Sequence, residues 1–313
     1  VFTCAAYPQT PPFPQAYLPS RPMVPNLTIL ETTLKVTDLH PQQVVKWHVQ
    51  VAGNGPITLL ACHGFSQSAS YFNPIVKPLE GIAQVWALEL PGHHKTNWPG
   101  ERPCTPHDLL ELLRAVKART NHAPLAILGF SMGGRYAFAL GQAAGAELHS
   151  LHLAAPEGLS PNWAQIISTE TAIGRWIIRR QIDQPGIVTG PVRAMERMGI
   201  LDKKMADFAR ANIANRALRV QLRESWIAMS GLKPDHEQLA QSAKKNKLPV
   251  HLYAGKRDPL ISLENARKLA AKIPGATLHE LDKGHFLIDA NFGRRLAEWL
   301  AEPARPQEGS LGG

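Results

Sequence analysis

Apolar positions along this chain follow two alternating periods. Short, nearly continuous apolar runs at 57–62, 84–89, 125–130 and 150–154 have the composition of strands covered on both faces. Two earlier segments, 27–36 and 44–51, are β-branched and flank a turn region containing Asp38 and Pro41, which predicts an antiparallel pair. Two further strands, 249–254 and 277–281, bracket an amphipathic helix at 262–273 with Ser262 as its N-cap. Other helical patterns fall at 106–119, where Leu109, Leu110, Leu112, Leu113 and Val116 form a broad apolar face, at 135–142 and at 286–300. Strands alternating with helices predict an α/β fold. It has an eight-stranded, mostly parallel sheet, its first two strands antiparallel, with helices on both faces.

The alternation breaks once. From 157 to 247 the chain is rich in helix formers, with helical patterns at 166–180, 195–198, 205–210 and 217–228 and no clear strand. An all-helical excursion between two sheet strands is expected to be an inserted cap, so 27–156 and 248–301 form the catalytic core. Pro8, Pro11, Pro12, Pro14, Pro19, Pro22 and Pro25 keep 1–26 out of helix and inner strand, predicting an extended arm. Residues 302–313 have the composition of a flexible tail.

Composition narrows the class. Of 313 residues, 44% are hydrophobic and 19% charged, a balance that excludes global disorder. The longest apolar run, 124–130, falls far short of the roughly 18 residues of a spanning helix, so no membrane partner is expected. The net charge of +9 invites a nucleic-acid partner, but no zinc-ligand spacing or helix-turn-helix accompanies it. Residues 157–247 hold fifteen Lys or Arg against nine Asp or Glu, so six of the nine net charges lie on the expected cap. That placement shifts the question from nucleic acid to substrate entry. Cys4, Cys62 and Cys104 form no CxxC, which implies neither a disulfide framework nor a metal site. With no basic-then-apolar leader at the start, a cytoplasmic location is expected.

Chemistry concentrates in three places. Gly129-Phe130-Ser131-Met132-Gly133-Gly134 joins a buried strand directly to a helix. In that context GxSxG is a sharp turn that exposes a nucleophilic serine, with glycines where side chains would collide. A serine needs a base, and His285 follows the last strand beside Gly284, which is expected to permit a tight approach. The base needs an orienting carboxylate. Asp258, after the penultimate strand, sits at the same sheet edge; Glu157 and Asp282 are its rivals. His63-Gly64-Phe65 ends the third strand. Its turn is expected to aim the Phe65 N–H at an oxyanion beside the Met132 N–H, with His63 bracing the loop.

The order Ser131, Asp258, His285, the His63-Gly64 turn and the capped eight-strand pattern resemble the α/β-hydrolase superfamily over about residues 27–301, in a serine carboxylesterase-like form. The resemblance implies acyl transfer through a serine ester, with no cofactor and no metal. Departures lie in the stretch from Leu88 to Thr96, where Glu89 replaces the usual Asp and His94 a second Gly, leaving the shape of one wall of the site open. Ser131 as nucleophile separates the chain from haloalkane dehalogenases and epoxide hydrolases, which use a carboxylate. Expected function is therefore hydrolysis of small or medium acyl esters, a small-molecule substrate. Carbon–carbon bond hydrolase, thioesterase and a hydrolase-fold ligand receptor are the alternatives. Trp163 and Trp226 on the cap are the expected lining of an apolar acyl pocket.

Overall fold

The computed structural model describes residues 29–37, 44–93, 95–99, 101–200 and 203–301; the expected arm at 1–26 and tail at 302–313 lie outside them. Eight strands form one sheet: β1 (Ile29–Thr37), β2 (Val44–Ala52), β3 (Ile57–Cys62), β4 (Ala83–Leu88), β5 (Leu125–Phe130), β6 (Ser150–Ala154), β7 (Val250–Gly255) and β8 (Thr277–Leu281). Their order is β1-β2-β4-β3-β5-β6-β7-β8. β2 pairs antiparallel with both β1 and β4, and β3 to β8 run parallel. The predicted eight-stranded, mostly parallel sheet is therefore the observed one.

The helices are α1 (Asn73–Val76), α2 (Pro106–Arg119), α3 (Gly133–Ala144), α4 (Trp163–Glu170), α5 (Ala172–Arg180), α6 (Gly186–Arg197), α7 (Lys203–Ala211), α8 (Arg216–Ser230), α9 (His236–Asn246), α10 (Leu263–Lys272) and α11 (Ala290–Leu300). Alternate residues of each inner strand feed two cores. Leu60, Cys62 and Ile127 join Leu112 and Leu113 of α2, Phe138 of α3 and Leu269 of α10 on one face. Leu59, Ala61 and Leu128 join Ile75 of α1 and Phe292 and Leu296 of α11 on the other. Burial of both faces accounts for the continuous apolar runs of β3 and β5.

Three boundaries differ from expectation, each for a local reason. The single helix expected at 166–180 is broken at Thr171. Its hydroxyl accepts from the Gly174 N–H at 2.9 Å and donates to the Ile167 carbonyl at 2.8 Å. Gly174 permits the corner, since a Cβ there would lie 1.9 Å from the Ile167 oxygen. The helix expected at 195–198 starts at Gly186 instead and runs through Pro191. The final helix starts at Ala290 because Asp289 caps it, accepting from the Phe292 N–H at 2.8 Å.

A fourth difference corrects the expected insertion at 157–247. Leu239, Ala240 and Ala243 of α9 are buried in the α2–α3 core, and the Ser242 hydroxyl donates to the Gly141 carbonyl of α3 at 2.7 Å. α9 thus belongs to the sheet-covering layer, and the excursion is α4 to α8.

The strand order reverses beside β3. The chain leaves β3 toward β4 on one side, then returns past it to β5 and continues to β6 on the other. Neighbouring strands whose crossovers leave in opposite directions open a crevice at their carboxyl ends. The carboxyl ends of β3 and β5 carry His63-Gly64-Phe65 and Ser131.

Under α11, His152, His251 and His279 stack across β6, β7 and β8. Ring centroids lie 4.8 Å apart for His152 and His251 and 5.7 Å for His251 and His279. Burial lowers the pKa of all three, His251 to about 4, and mutual repulsion and Arg295 add to it. His149 next to the stack is lowered by burial as well. Because the unfolded chain binds these protons near pH 6.5 and the folded chain does not, stability is full above that pH. It falls as pH drops toward 4, by on the order of 2–3 kcal/mol for one such histidine. Thermal unfolding followed by circular dichroism between pH 7.5 and 4 is expected to show this decline, and His251→Phe to flatten it.

Candidate active site

β5 enters a left-handed turn at Ser131, whose φ is 51°. The turn is locked by backbone bonds: the Ser131 N–H donates to the Ala154 carbonyl at 3.0 Å, and its own carbonyl accepts from Gly134 and Glu157 at 2.8 and 2.7 Å. Glycine is required on both sides. A Cβ at Gly129 would lie 2.5 Å from the Ala137 Cβ, and one at Gly133 would lie 2.0 Å from the Cys62 carbonyl oxygen. That second contact presses the start of α3 against the end of β3. Cys62 itself is buried, which pushes its thiol up to about 12 and keeps it protonated.

The three residues named from the sequence meet. Ser131 Oγ lies 2.9 Å from His285 Nε2, and His285 Nδ1 donates to Asp258 Oδ2 at 2.8 Å. Asp258 is held from its other side, where Oδ1 accepts from the Leu260 and Ile261 N–H groups at 2.8 and 3.0 Å. Its side chain is 1% exposed and that of His285 8%, while Ser131 is half-buried. The Phe130 ring, 5.2 Å from His285 centroid to centroid, packs beside the imidazole. Carboxylate, imidazole and hydroxyl are thus in one hydrogen-bonded line, able to pass the serine proton to Nε2 while Nδ1–H stays fixed.

The rivals of Asp258 are engaged elsewhere. Glu157 pairs with the buried Arg135 at 3.3 Å and accepts from Asn162 at 3.0 Å; Asp282 pairs with Arg257 at 2.8 Å. The tight approach expected at Gly284 lies instead at Gly255. A Cβ at Gly284 would meet only the Arg257 carbonyl at 3.9 Å, whereas one at Gly255 would lie 2.3 Å from the Gly284 carbonyl oxygen. This contact brings the loop of Asp258 against the loop of His285.

The loop after β3 is built around the Gly64–Phe65 peptide. Its carbonyl accepts from His63 Nδ1 at 2.7 Å and from the Gln67 N–H at 3.3 Å. In a trans peptide this turns the Phe65 N–H the opposite way. His63 Nε2 accepts from the Leu90 N–H at 3.1 Å and lies 3.5 Å from Glu89, so His63 braces the loop from a site of zero exposure. Among the described residues the Phe65 and Met132 N–H groups donate to no protein acceptor.

Trp163 on α4 is 66% exposed. Trp226 on α8 packs partly buried against the core, and its carbonyl accepts from Gln165 at 3.2 Å. Neither is in ring or hydrogen-bond contact with Ser131 or His285. An open depression of about 500 Å³ lies along α5, lined by Arg175, Trp176, Arg179 and Arg180, and Ser131 is not part of it.

Sequence reasoning missed a buried polar group behind the Phe65 loop. Ser66 has a left-handed φ of 58°, its N–H donates to His93 Nε2 at 3.1 Å, and its hydroxyl donates to Gln221 Oε1 of α8 at 3.1 Å. The one signal was the stretch from Leu88 to Thr96, whose departures at Glu89 and His94 left the shape of that wall open without a sign of what His93 touches.

Known proteins agree with this architecture. Residues 57–292 match the family described as alpha/beta hydrolase fold. A pimeloyl-[acyl-carrier protein] methyl ester esterase of Xanthomonas campestris is 27% identical over 76% of this chain and 90% of its own length. An uncharacterized hydrolase of Bacillus subtilis is 22% identical over 79% and 90%. A thermophilic esterase from Thermogutta terrifontis superposes with a TM-score of 0.63 at 16% identity, over 86% of this chain and 98% of that one. With most of its length matching that family and the sheet order and serine turn built as described, the chain belongs to the alpha/beta hydrolase fold family.

Proposed function

We propose that this protein is a serine hydrolase that cleaves carboxylic esters of small or medium acyl chains through an acyl-enzyme. The observation that carries the reading is the line Ser131–His285–Asp258, set at a left-handed turn beside two amide donors with no protein acceptor among the described residues. Ser131 Oγ attacks the ester carbonyl as its proton passes to His285 Nε2, and the carbonyl electron pair moves onto oxygen. Phe65 and Met132 N–H groups meet that oxyanion. Collapse expels the alcohol, which takes the proton from Nε2. A water then repeats the sequence on the Ser131 ester and releases the carboxylic acid. Asp258 remains ionised throughout and holds the tautomer.

The 27% identical relative is a methyl ester esterase, which supports ester chemistry over thioester or carbon–carbon cleavage. A ligand receptor on this fold has no use for a carboxylate fixed by two amides and aimed at an imidazole. Trp163 and Trp226 are the proposed lining for the acyl chain. Support for Trp226 comes from its packing, partly buried, against the core cluster that contains Met132.

Hydrolysis of p-nitrophenyl acetate and butyrate is expected for the wild type, with Ser131→Ala lowering kcat about 10⁴-fold or more. Turnover that persists in this variant sinks the assignment. Asp258→Asn keeps an Oδ1 acceptor for Leu260 and Ile261, so its unfolding temperature should change little. Its kcat is expected to fall about 10⁴-fold, because the amide cannot hold His285 in the required tautomer.

A further inference from the structure

We infer that helix α8 of the excursion positions the oxyanion-donating peptide, acting through Ser66 and His93. The inference rests on the ester-hydrolase reading above and names how its oxyanion site is held.

Ser66 follows Phe65 and has a left-handed φ of 58°. A side-chain-bearing residue adopts that conformation only when its surroundings over-determine it. Two contacts from distant elements do so. The Ser66 N–H donates to His93 Nε2 at 3.1 Å, and its hydroxyl donates to Gln221 Oε1 at 3.1 Å. Because Nε2 accepts, Nδ1 carries the proton, and Nδ1 faces the Pro91 carbonyl at 3.2 Å and the Ser225 hydroxyl at 3.4 Å. His93 is 1% exposed and Ser225 has no exposure. The imidazole is therefore a buried strut between the Phe65 loop, the Pro91 loop and α8.

α8 is pressed on this strut. Gly92 has φ of 79°, and a Cβ on it would lie 2.7 Å from Ser225 Oγ and 2.8 Å from the Ser225 nitrogen. The His93 ring also contacts the Phe65 and His63 rings edge-on, with centroids 5.7 and 4.8 Å away. On the other side of the same peptide, His63 and Gln67 hold the Gly64 carbonyl. The Phe65 N–H is thus set from two sides: by the body through His63, and by α8 through Ser66. Neither His93 nor Gln221 meets the substrate in this scheme; both are positioning residues. A shift of α8 moves Gln221 and Ser225 together and releases the left-handed turn, so the oxyanion site is complete only when α8 is seated.

The test uses the full chain and compares Gln221→Ala, Ser66→Ala, His93→Ala, His93→Gln and His93→Asn. Gln at 93 offers an acceptor at the place of Nε2, whereas Asn reaches only the place of Nδ1. Expected results for Gln221→Ala and Ser66→Ala are a kcat about tenfold lower, with KM within about twofold of wild type. His93→Ala should lose about 10²-fold in kcat, His93→Gln recover most of it and His93→Asn little. Affinity for a trifluoromethyl ketone, which forms a tetrahedral adduct, should fall by the same factor as kcat. Amide hydrogen exchange in residues 64–68 should quicken in all but His93→Gln. Gln221 is half-buried and its variant is expected to keep the wild-type unfolding temperature, which guards against misfolding of the fully buried His93 variants.

Turnover abolished by Ser131→Ala but unchanged in Gln221→Ala overturns this inference alone. So does quickened exchange at 64–68 with kcat intact, or a loss confined to KM. Turnover surviving in Ser131→Ala overturns the ester-hydrolase reading, and this one with it.

Discussion

A carbonyl oxygen at the end of β3 and the α-carbon of Gly133 approach so closely that a methyl group at 133 would lie 2.0 Å from the oxygen of Cys62. The ladder between β3 and β5 sets the spacing of the two strands, and that contact sets how close the first turn of α3 comes to the end of β3. With it, the start of α3 rests on the end of β3, and Ser131 and Phe65 come to the same crevice. Without it the helix would have to tilt away, and the serine would leave the reach of the β3 loop. The glycines of the turn therefore act as spacers in the packing of strand on helix, and the placement of the Ser131 hydroxyl in the crevice is their consequence.

Around this contact the backbone is held in unfavourable conformations at three adjacent strand ends. Ser66 after β3, Ser131 after β5 and Ala155 after β6 have φ of 58°, 51° and 42°. Each costs on the order of 1–2 kcal/mol for an L-residue. Each is compensated by hydrogen bonds from neighbours: Ser131 from Ala154, Gly134 and Glu157, and Ala155 through its N–H to the Tyr253 carbonyl at 2.8 Å. Ser66 depends on side chains, His93 and Gln221, where the other two use backbone. Backbone partners come with the fold. Side-chain partners must be supplied residue by residue, which makes the β3 loop the part of the crevice most sensitive to substitution elsewhere.

What the sequence makes legible is what depends on period and on order. β3 and β5 are predicted at their observed bounds because burial of both faces leaves a nearly continuous apolar run ended by a polar residue, and β6 because its apolar residues end at Pro156. That Ser131, His285 and Asp258 meet is legible because each follows a strand of a parallel sheet, and such strand ends share one edge. The misses depend on pairing in three dimensions. Glu157 is a reasonable partner for an imidazole until Arg135, on the helix after the serine, neutralises it. α9 has the composition of the excursion helices, and only its contact with Gly141 and the α2–α3 core shows that it covers the sheet. The corner at Thr171 and the helix through Pro191 break local rules that hold on average. His93 and Ser66 are 27 residues apart on two loops, and loops carry no period from which to infer contact.

With α9 in the sheet-covering layer, the excursion α4 to α8 leaves the body after β6 and rejoins it at one sheet edge, between a single pair of parallel strands. Serine, histidine and aspartate are all encoded outside that stretch. Descent can therefore lengthen, shorten or replace the excursion as one continuous insertion while Ser131, His285 and Asp258 are inherited unchanged. The exception is the pair Gln221 and Ser225, which reach back to the β3 and β4 loops. A replacement helix that lacks them would leave Ser131 in place and the Phe65 loop short of its support, so the two parts of this chain are separable in inheritance only up to that seam.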